Sequence, residues 1–240
     1  MLGPGLKQVL GSDRPELAER VRVVEHGGYR HVITEHDRGQ ARDALGCAGD
    51  RAVVAFIGQL APRKGLEDLI GCLAGSDVRL LVAGTAVDHV YLDRLRELAA
   101  ESAIHVDWRV SSDPLPQADL DLVIAASNQV VLPFRDASQS GSVILAMTHG
   151  RCVVTTAVGE LPRTLDGRGI LVEPGDRSDL RAAIELASAS SPTSGTSSAA
   201  IAKVATAMPI EVAIRAQLSE ILMPPLTSTQ NTDRPIRTVP

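Results

Sequence analysis

The chain has 240 residues, a formal net charge of −5 and a hydrophobic fraction of 44%, with an aromatic share of 2%. This length suffices for one large α/β domain with an aliphatic core, or for two small domains. The negative charge and the lack of a Lys/Arg block argue against nucleic acid as the main partner, and no stretch approaches the ~18 apolar residues of a membrane span.

Strand-length apolar runs alternate with helical stripes along the chain. The predicted strands cover residues 21–24, 52–57, 78–83, 104–110 and 129–132, then a run that begins at Cys152, and 169–172. The predicted helices cover residues 37–45, 66–73, a stripe around 92–98, 118–126, a segment that ends at Gly150, 159–165 and 178–187. Strands without polar alternation that are separated by helices predict a parallel sheet covered on both faces. We therefore predict a doubly wound, Rossmann-like α/β domain over residues 21–190.

Segments of different composition flank this domain. We assign residues 1–20 to an N-terminal lead-in and residues 191–223 to a linker with C-terminal helices. The linker is rich in Ser, Thr, Gly and Pro, and Pro209 opens a segment with a single apolar stripe. Residues 224–240 are polar and proline-rich, which predicts a disordered tail.

The three cysteines indicate the cellular compartment of the protein. Cys47, Cys72 and Cys152 are odd in number and lie in apolar sequence. They predict buried, reduced thiols rather than disulfides or a metal site. The first residues also lack the apolar core of a signal peptide. We therefore expect a cytoplasmic protein.

The stretch from Leu132 to Thr156 is the first candidate for a ligand site. Its polar loop contains Ser138, Ser140, Gly141 and Ser142, at the point where a helix must start. A loop of small residues that runs into a helix N-terminus leaves backbone N–H groups at the positive end of the helix dipole, which suits a phosphate. The alternative is an ordinary βαβ turn with a serine N-cap.

The loop after the strand at 52–57 is the second candidate. It contains Gly58, Gln59, Arg63 and Lys64 and precedes a helix. Two cations at the carboxyl end of a parallel strand can pair with a diphosphate, although they can also be a solvated basic pair on a turn. The chain contains neither a G-x-x-x-x-G-K-[ST] phosphate loop nor a G-x-G-x-x-G run after a strand.

Other polar residues are better explained by structure. Asp119 and Asp121 imitate a D-x-D metal motif, but residues i and i+2 of a helix point to different faces, so we assign both to a helix start. His149 precedes Gly150 at a helix end, where such a residue is expected. His26 stands before two glycines; a structural or solvated role is favoured over one near a cleft.

Four segments occur in a fixed order over about residues 21–187. They are 24–29 (VEHGGY), 56–66 (FIGQLAPRKGL), 80–84 (LLVAG) and 132–176, which includes LPF, SGS, GELP and GILVEPGD. Together they resemble the C-terminal, donor-binding domain of a glycosyltransferase of the GT-B fold, close to family 4. The expected architecture is one half of a GT-B fold with a C-terminal helical extension.

This resemblance implies a nucleotide-diphosphate sugar held in a cleft between two Rossmann-like domains. Lys64 matches the lysine that meets the diphosphate, and the backbone of Ser140-Gly141-Ser142 matches the loop that faces the sugar and phosphate. Gly84 ends the third matching segment, and with Gly58, Gln59, Arg63 and Ser138 it completes the candidate donor site. No metal and no cofactor is implied, retaining chemistry is expected, and the acceptor is a glycan, a lipid or a small molecule.

The chain departs from the family pattern at several positions. Ala137 and Leu145 stand where family 4 enzymes commonly carry two glutamates, and Gln59 replaces a common arginine for which Arg63 could substitute. Arg163 occupies the position of a further glutamate, with Glu160 displaced. A subgroup with S-G-S and A-x-x-x-G-R-P-V-V lacks the glutamates, and this chain resembles that subgroup.

The length of the chain leaves three explanations for where the acceptor-binding half of the cleft comes from. A GT-B enzyme needs an acceptor domain of ~150 residues or more, whereas this chain starts almost at the second domain. Either the gene is truncated, or the acceptor half is a separate polypeptide, or the domain has been repurposed. The alternative function is therefore a non-catalytic module that binds a nucleotide or a protein. A third hypothesis, a nucleotide-sugar-modifying or dinucleotide-dependent enzyme, has little support because the chain lacks the glycine signature of such enzymes.

Overall fold

The computed structural model describes residues 4–18, 28–29, 38–47, 49 and 52–189. In this part of the chain, six strands form one all-parallel sheet with the order β3-β2-β1-β4-β5-β6. The strands are β1 (Val53–Ile57), β2 (Arg79–Thr85), β3 (His105–Ser111), β4 (Gln129–Leu132), β5 (Cys152–Thr156) and β6 (Ile170–Val172).

Helices connect the strands and flank the sheet. They are α1 (Pro4–Asp13), α2 (Pro15–Ala18), α3 (Arg38–Ala44), α4 (Leu66–Cys72), α5 (His89–Glu101), α6 (Gln117–Ala126), α7 (Gly141–Thr148), α8 (Leu161–Leu165) and α9 (Arg177–Ala189), with a 3-10 turn at Pro62–Lys64. Helix α6 packs on β1 and β2 beside α3, while α9 packs on β4, β5 and β6 beside α4. The predicted doubly wound fold is confirmed.

The central strands are buried, and nearly all of their residues are apolar on both faces of the sheet. All five residues of β1 and all four of β4 are buried. Aliphatic side chains dominate the core, in keeping with the low aromatic content, and Phe56 and Phe134 are fully buried within it. Continuous apolar strands of this kind are typical of a parallel sheet that is covered on both sides.

Strand β2 is longer than the sequence predicts. The prediction ended it at Ala83 and treated Gly84 as its terminator, whereas β2 continues through Gly84 to Thr85. A β-carbon on Gly84 would lie 1.7 Å from the carbonyl oxygen of Gly58. The glycine therefore permits a close approach of two backbones and does not end the strand.

Several predicted segments lie outside the described residues. These are the strand at 21–24, His26, the linker with C-terminal helices at 191–223, which includes the segment opened by Pro209, and the tail at 224–240. Residues 4–18, which the sequence assigned to a lead-in, form α1 and α2. Across the described residues, no helix combines the length and apolar character needed to traverse a bilayer.

Candidate functional site

The strand order places two loops next to each other at the carboxyl edge of the sheet. From β1 the chain winds outward to β2 and β3, and then returns to place β4 on the other side of β1. The loops after β1 and β4 therefore diverge from neighbouring strands. Crevices of open α/β sheets form at such a reversal. Both loops singled out from the sequence meet here.

The loop after β1 lies directly against the loop after β4. Gly65 has φ +69°, and a β-carbon there would lie 1.9 Å from the carbonyl oxygen of Pro133. The N–H group of Arg135 donates to the carbonyl oxygen of Arg63 at 2.9 Å. Farther along, the β-carbon position of Gly58 lies 2.8 Å from Oγ of Ser142. The two loops thus form a single surface.

Strand β2 forms the other boundary of the first loop. The N–H of Gly58 donates to Ala83 at 2.9 Å, and the N–H of Leu60 donates to Thr85 at 2.8 Å. The sheet pairing therefore continues beyond the end of β1 and fixes the first residues of the loop. Gln59, between these two anchored residues, is exposed.

Helix α7 begins at the crevice with a serine cap. Ser140 is 4% exposed, and its Oγ accepts a hydrogen bond from the N–H of Val143 at 3.3 Å. Gly141 and Ser142 are half-buried at the first two helical positions. The first N–H groups of a helix have no partner within the helix and lie at the positive end of its dipole. This end of α7 can therefore accept an anion.

Ser138 has a different environment from the other predicted serines. It is exposed, and its carbonyl oxygen accepts from the N–H of Glu160 at 2.9 Å. Beside it, Gly159 lies so near Ala137 that a β-carbon would be 1.9 Å from the carbonyl oxygen of that residue. The backbone of Ser138 thus connects the loop after β4 to the loop after β5.

The ammonium group of Lys64 lies over an aromatic ring in the neighbouring loop. Its Nζ is 4.1 Å from the centroid of Phe134, a side chain that is 1% exposed. Burial, followed by repulsion from Arg63, lowers the pKa of Lys64 to about 8. The ring attracts the charged form. A partly desolvated ammonium of this kind gains much from pairing with an anion.

The two predicted cations of this loop are not equivalent. The side chain of Arg63 is exposed, while its carbonyl oxygen accepts hydrogen bonds from the loop after β4. Lys64 is half-buried against Phe134. Lys64 is therefore the less solvated of the two cations.

Sequence reasoning missed residues that hold the second loop in place. Thr155 and Thr156 of β5 donate from their Oγ1 atoms to the carbonyl oxygens of Leu132 and Phe134. The sequence did contain a signal for these contacts, because two threonines end an otherwise apolar strand. Arg135 was also missed; it forms ion pairs with the carboxylates of Glu67 and Asp68.

The remaining candidates belong to the scaffold. Nε2 of His149 lies 2.9 Å from Oδ1 of Asp121, and both side chains are about 5% exposed or less. The structural interpretation of His149 is thus confirmed. Asp119 lies in the first turn of α6, as predicted, but the assignment of Asp121 to the helix start is wrong, because it lies farther along the helix and is buried against His149.

The positions of the two family glutamates are apolar and buried. Ala137 is 5% exposed, and Leu145 on α7 is 6% exposed within the hydrophobic core. Within residues 4–18, 28–29, 38–47, 49 and 52–189, no three His, Cys, Asp or Glu residues are grouped to hold a metal ion.

Comparison with known families identifies the family and the fold of this domain. The profile of the family described as Glycosyl transferases group 1 matches residues 51–189, more than half of the chain. The chain belongs to this family. Its described fold is the C-terminal domain of a GT-B glycosyltransferase.

Curated relatives of this group 1 domain are longer proteins. It is 34% identical over 184 residues to a D-inositol 3-phosphate glycosyltransferase of Mycobacterium marinum, covering 75% of this chain and 39% of that protein. It is 36% identical over 167 residues to the protein of the same name from Mycobacterium sp. strain KMS, covering 67% of this chain and 37% of the relative. The chain thus spans well under half the length of these relatives.

Solved structures of other proteins share the fold. Anabaena HepE, solved in complex with UDP and glucose, superimposes with a TM-score of 0.74 at 24% identity, over 92% of this chain and 62% of that chain. The C-terminal domain of the group 1 family protein LpcC from Francisella tularensis has a TM-score of 0.56 at 16% identity, over 80% of this chain and 98% of that domain.

Proposed function

We propose that this chain is the donor-binding half of a glycosyltransferase that moves a sugar from a nucleotide-diphosphate sugar to an acceptor. One observation carries the proposal. The ammonium of Lys64 and the N-terminus of α7 belong to two loops that contact each other at the reversal of strand order. The names of the relatives, and the UDP and glucose bound to HepE, support the same assignment.

In this proposal, the diphosphate lies between Lys64 and the first N–H groups of α7. Cleavage of the bond between sugar and diphosphate places negative charge on the leaving group. A fixed ammonium and oriented backbone dipoles stabilise that charge without reorganisation. Gly58 and Gly84 permit the close approach of the elements beneath the crevice, because a β-carbon on Gly84 would collide with the backbone of Gly58 and one on Gly58 would collide with Ser142. Neither a metal nor a cofactor is required for this step.

The other half of the reaction needs residues beyond this domain. A transferase must exclude water and orient the acceptor against the sugar. We propose that a second domain, on a longer chain or a separate polypeptide, closes over this crevice and binds the acceptor. The assignment to family 4, hexosyl transfer and a cytoplasmic location belong to the same proposal.

One observation favours a second candidate function. Ala137 and Leu145 are buried apolar residues at the positions of the two family glutamates. A module that binds a nucleotide sugar without transferring the sugar needs no group at those positions. This candidate predicts binding of the donor but no release of nucleoside diphosphate when acceptor domain and acceptor are supplied.

Calorimetric titration of the purified chain with UDP, GDP and their hexose conjugates tests the proposal. We expect saturable, one-to-one binding of at least one nucleoside diphosphate. Substitution of Lys64 by alanine should weaken this binding. The matched control is Arg96→Ala on α5, which also removes one positive charge but lies on an exposed side chain whose partner, Asp93, is exposed as well. Failure of all these compounds to bind would contradict the donor-site assignment.

A further inference from the structure

Arg135 joins the two loops of the crevice through its backbone and its side chain. Its N–H donates to the carbonyl oxygen of Arg63 at 2.9 Å. Its Nη1 donates to the carbonyl oxygen of Pro62 at 3.3 Å. A single residue thus holds the two carbonyl groups that immediately precede Lys64.

The same guanidinium also holds the residues that follow Lys64. Nε of Arg135 donates to Oδ2 of Asp68 at 2.8 Å, and Nη1 lies 3.1 Å from Oε2 of Glu67. Both acidic residues are 9% exposed and lie in the first turn of α4, where the helix dipole favours negative charge. The turn that carries Lys64 is therefore fastened on both sides to Arg135.

Charge adds to this mechanical connection. Burial alone would raise the pKa of Asp68, but hydrogen bonds from Arg135 and Arg177 hold that pKa below its ordinary value. Asp68 is therefore ionised at neutral pH. Glu67 lies against the same guanidinium, so Arg135 pairs with both carboxylates at the start of α4.

We propose that Arg135 is a positioning residue for the donor diphosphate. It fixes the 3-10 turn that presents Lys64, because it binds the two carbonyl oxygens before this lysine and the two carboxylates after it. Arg135 acts through Lys64 and through the backbone of the turn. The inference rests on the proposed function, since it requires a diphosphate at Lys64.

A matched pair of variants isolates this role. Arg135→Gln removes the guanidinium that contacts both the turn and α4. Arg177→Gln removes the other guanidinium that contacts Asp68. Arg177 lies on α9, donates to Oδ1 of Asp68 at 3.1 Å and lies against Gly71 of α4. Both variants remove one charge and one partner of Asp68. Each is made in the full chain and titrated by calorimetry with UDP, GDP, uridine and guanosine.

A positioning role predicts a specific pattern of affinities. Arg135→Gln should weaken the bound nucleoside diphosphate by about fivefold to twentyfold while the matching nucleoside binds as before. Arg177→Gln should keep the diphosphate affinity within about twofold. Arg135→Lys retains a charge but not the planar fork, so its loss should be smaller. In a Lys64→Ala background, Arg135→Gln should cause no further loss, because its effect passes through Lys64.

Other results would overturn the inference. Full diphosphate affinity in Arg135→Gln, an equal loss for the nucleoside, or the same loss with and without Lys64 would each remove the positioning role. If Arg135→Gln does not fold, Arg135→Lys decides: a diphosphate-specific loss supports the role, and unchanged affinity removes it. A parent chain that binds neither UDP nor GDP overturns the proposed function itself, which is a distinguishable failure.

Discussion

Oγ of Ser142 lies 2.8 Å from the position that a β-carbon would occupy on Gly58. Gly58 is the first residue after β1, and Ser142 is the second residue of α7. This approach brings the end of one strand to the positive end of a helix that follows the adjacent strand. The floor of the candidate donor site depends on it, and it yields a direct test.

We expect Gly58→Ala to destabilise the domain by about 1–3 kcal/mol and to weaken UDP binding. The φ of Gly58 is +118°, which L residues rarely adopt, and the new methyl group would contact Ser142. Chemical denaturation and calorimetry measure the two effects. Gly75→Ala is the control, because Gly75 also has positive φ (+68°) but a β-carbon there has open space. If Gly58→Ala and Gly75→Ala lose equal stability and Gly58→Ala keeps its UDP affinity, the close approach of Gly58 and Ser142 is contradicted.

Gly84→Ala should be more damaging than Gly58→Ala. The new β-carbon would lie 1.7 Å from the carbonyl oxygen of Gly58, and a backbone atom between paired strands cannot rotate away as a serine hydroxyl can. We expect the free energy of unfolding to fall by more than about 3 kcal/mol. Denaturant titration measures it. A loss smaller than that of Gly58→Ala would show that the two backbones separate easily.

Lys64→Ala should weaken binding of the nucleoside diphosphate by about 1.5–3 kcal/mol, the scale of a hydrogen bond to a charged group. This corresponds to a factor of roughly 10 to 150 in the dissociation constant. Calorimetry of the variant beside Arg96→Ala measures the difference. Unchanged affinity would remove Lys64 from the site.

Donor affinity should fall as the pH rises through about 8. The pKa of Lys64 in the empty site is lowered to about 8, because burial and Arg63 disfavour the ammonium. A bound diphosphate favours the ammonium and raises that pKa, so binding above pH 8 takes up a proton and weakens with each further rise. Titrations between about pH 7 and 9.5 measure this dependence. Lys64→Arg should flatten the profile, since arginine stays charged throughout.

His149→Ala should lower the free energy of unfolding by about 1–3 kcal/mol, because it removes a buried hydrogen-bond partner of Asp121. Denaturant titration measures the loss. His105→Ala is the control; its imidazole is 56% exposed and lies 3.8 Å from Asp107. A change within about 0.5 kcal/mol is expected there, as for most surface substitutions. Equal effects for both histidines would contradict the structural role of His149.

The strands and helices of residues 52–189 were predictable because their signals are local. Val53–Ile57 is a continuous apolar run, Val130, Val131 and Leu132 form a shorter one, and Ser140 and Gly150 stand where a helix starts and stops. Parallel strands joined by helices leave few arrangements of the sheet. Motif order alone also placed Lys64 and Ser140–Ser142 in one candidate site.

Side-chain partners far apart in the chain were not predictable. Arg135 and Asp68 are 67 residues apart in the chain, and His149 and Asp121 are 28 apart. Neither pairing leaves a periodic or spacing signal. The contact between Lys64 and the Phe134 ring also leaves no such signal. Because of this contact, Arg63 and Lys64 have different environments. Local sequence sets backbone conformation and burial, whereas only packing across the sheet edge decides which charges meet and at what distance.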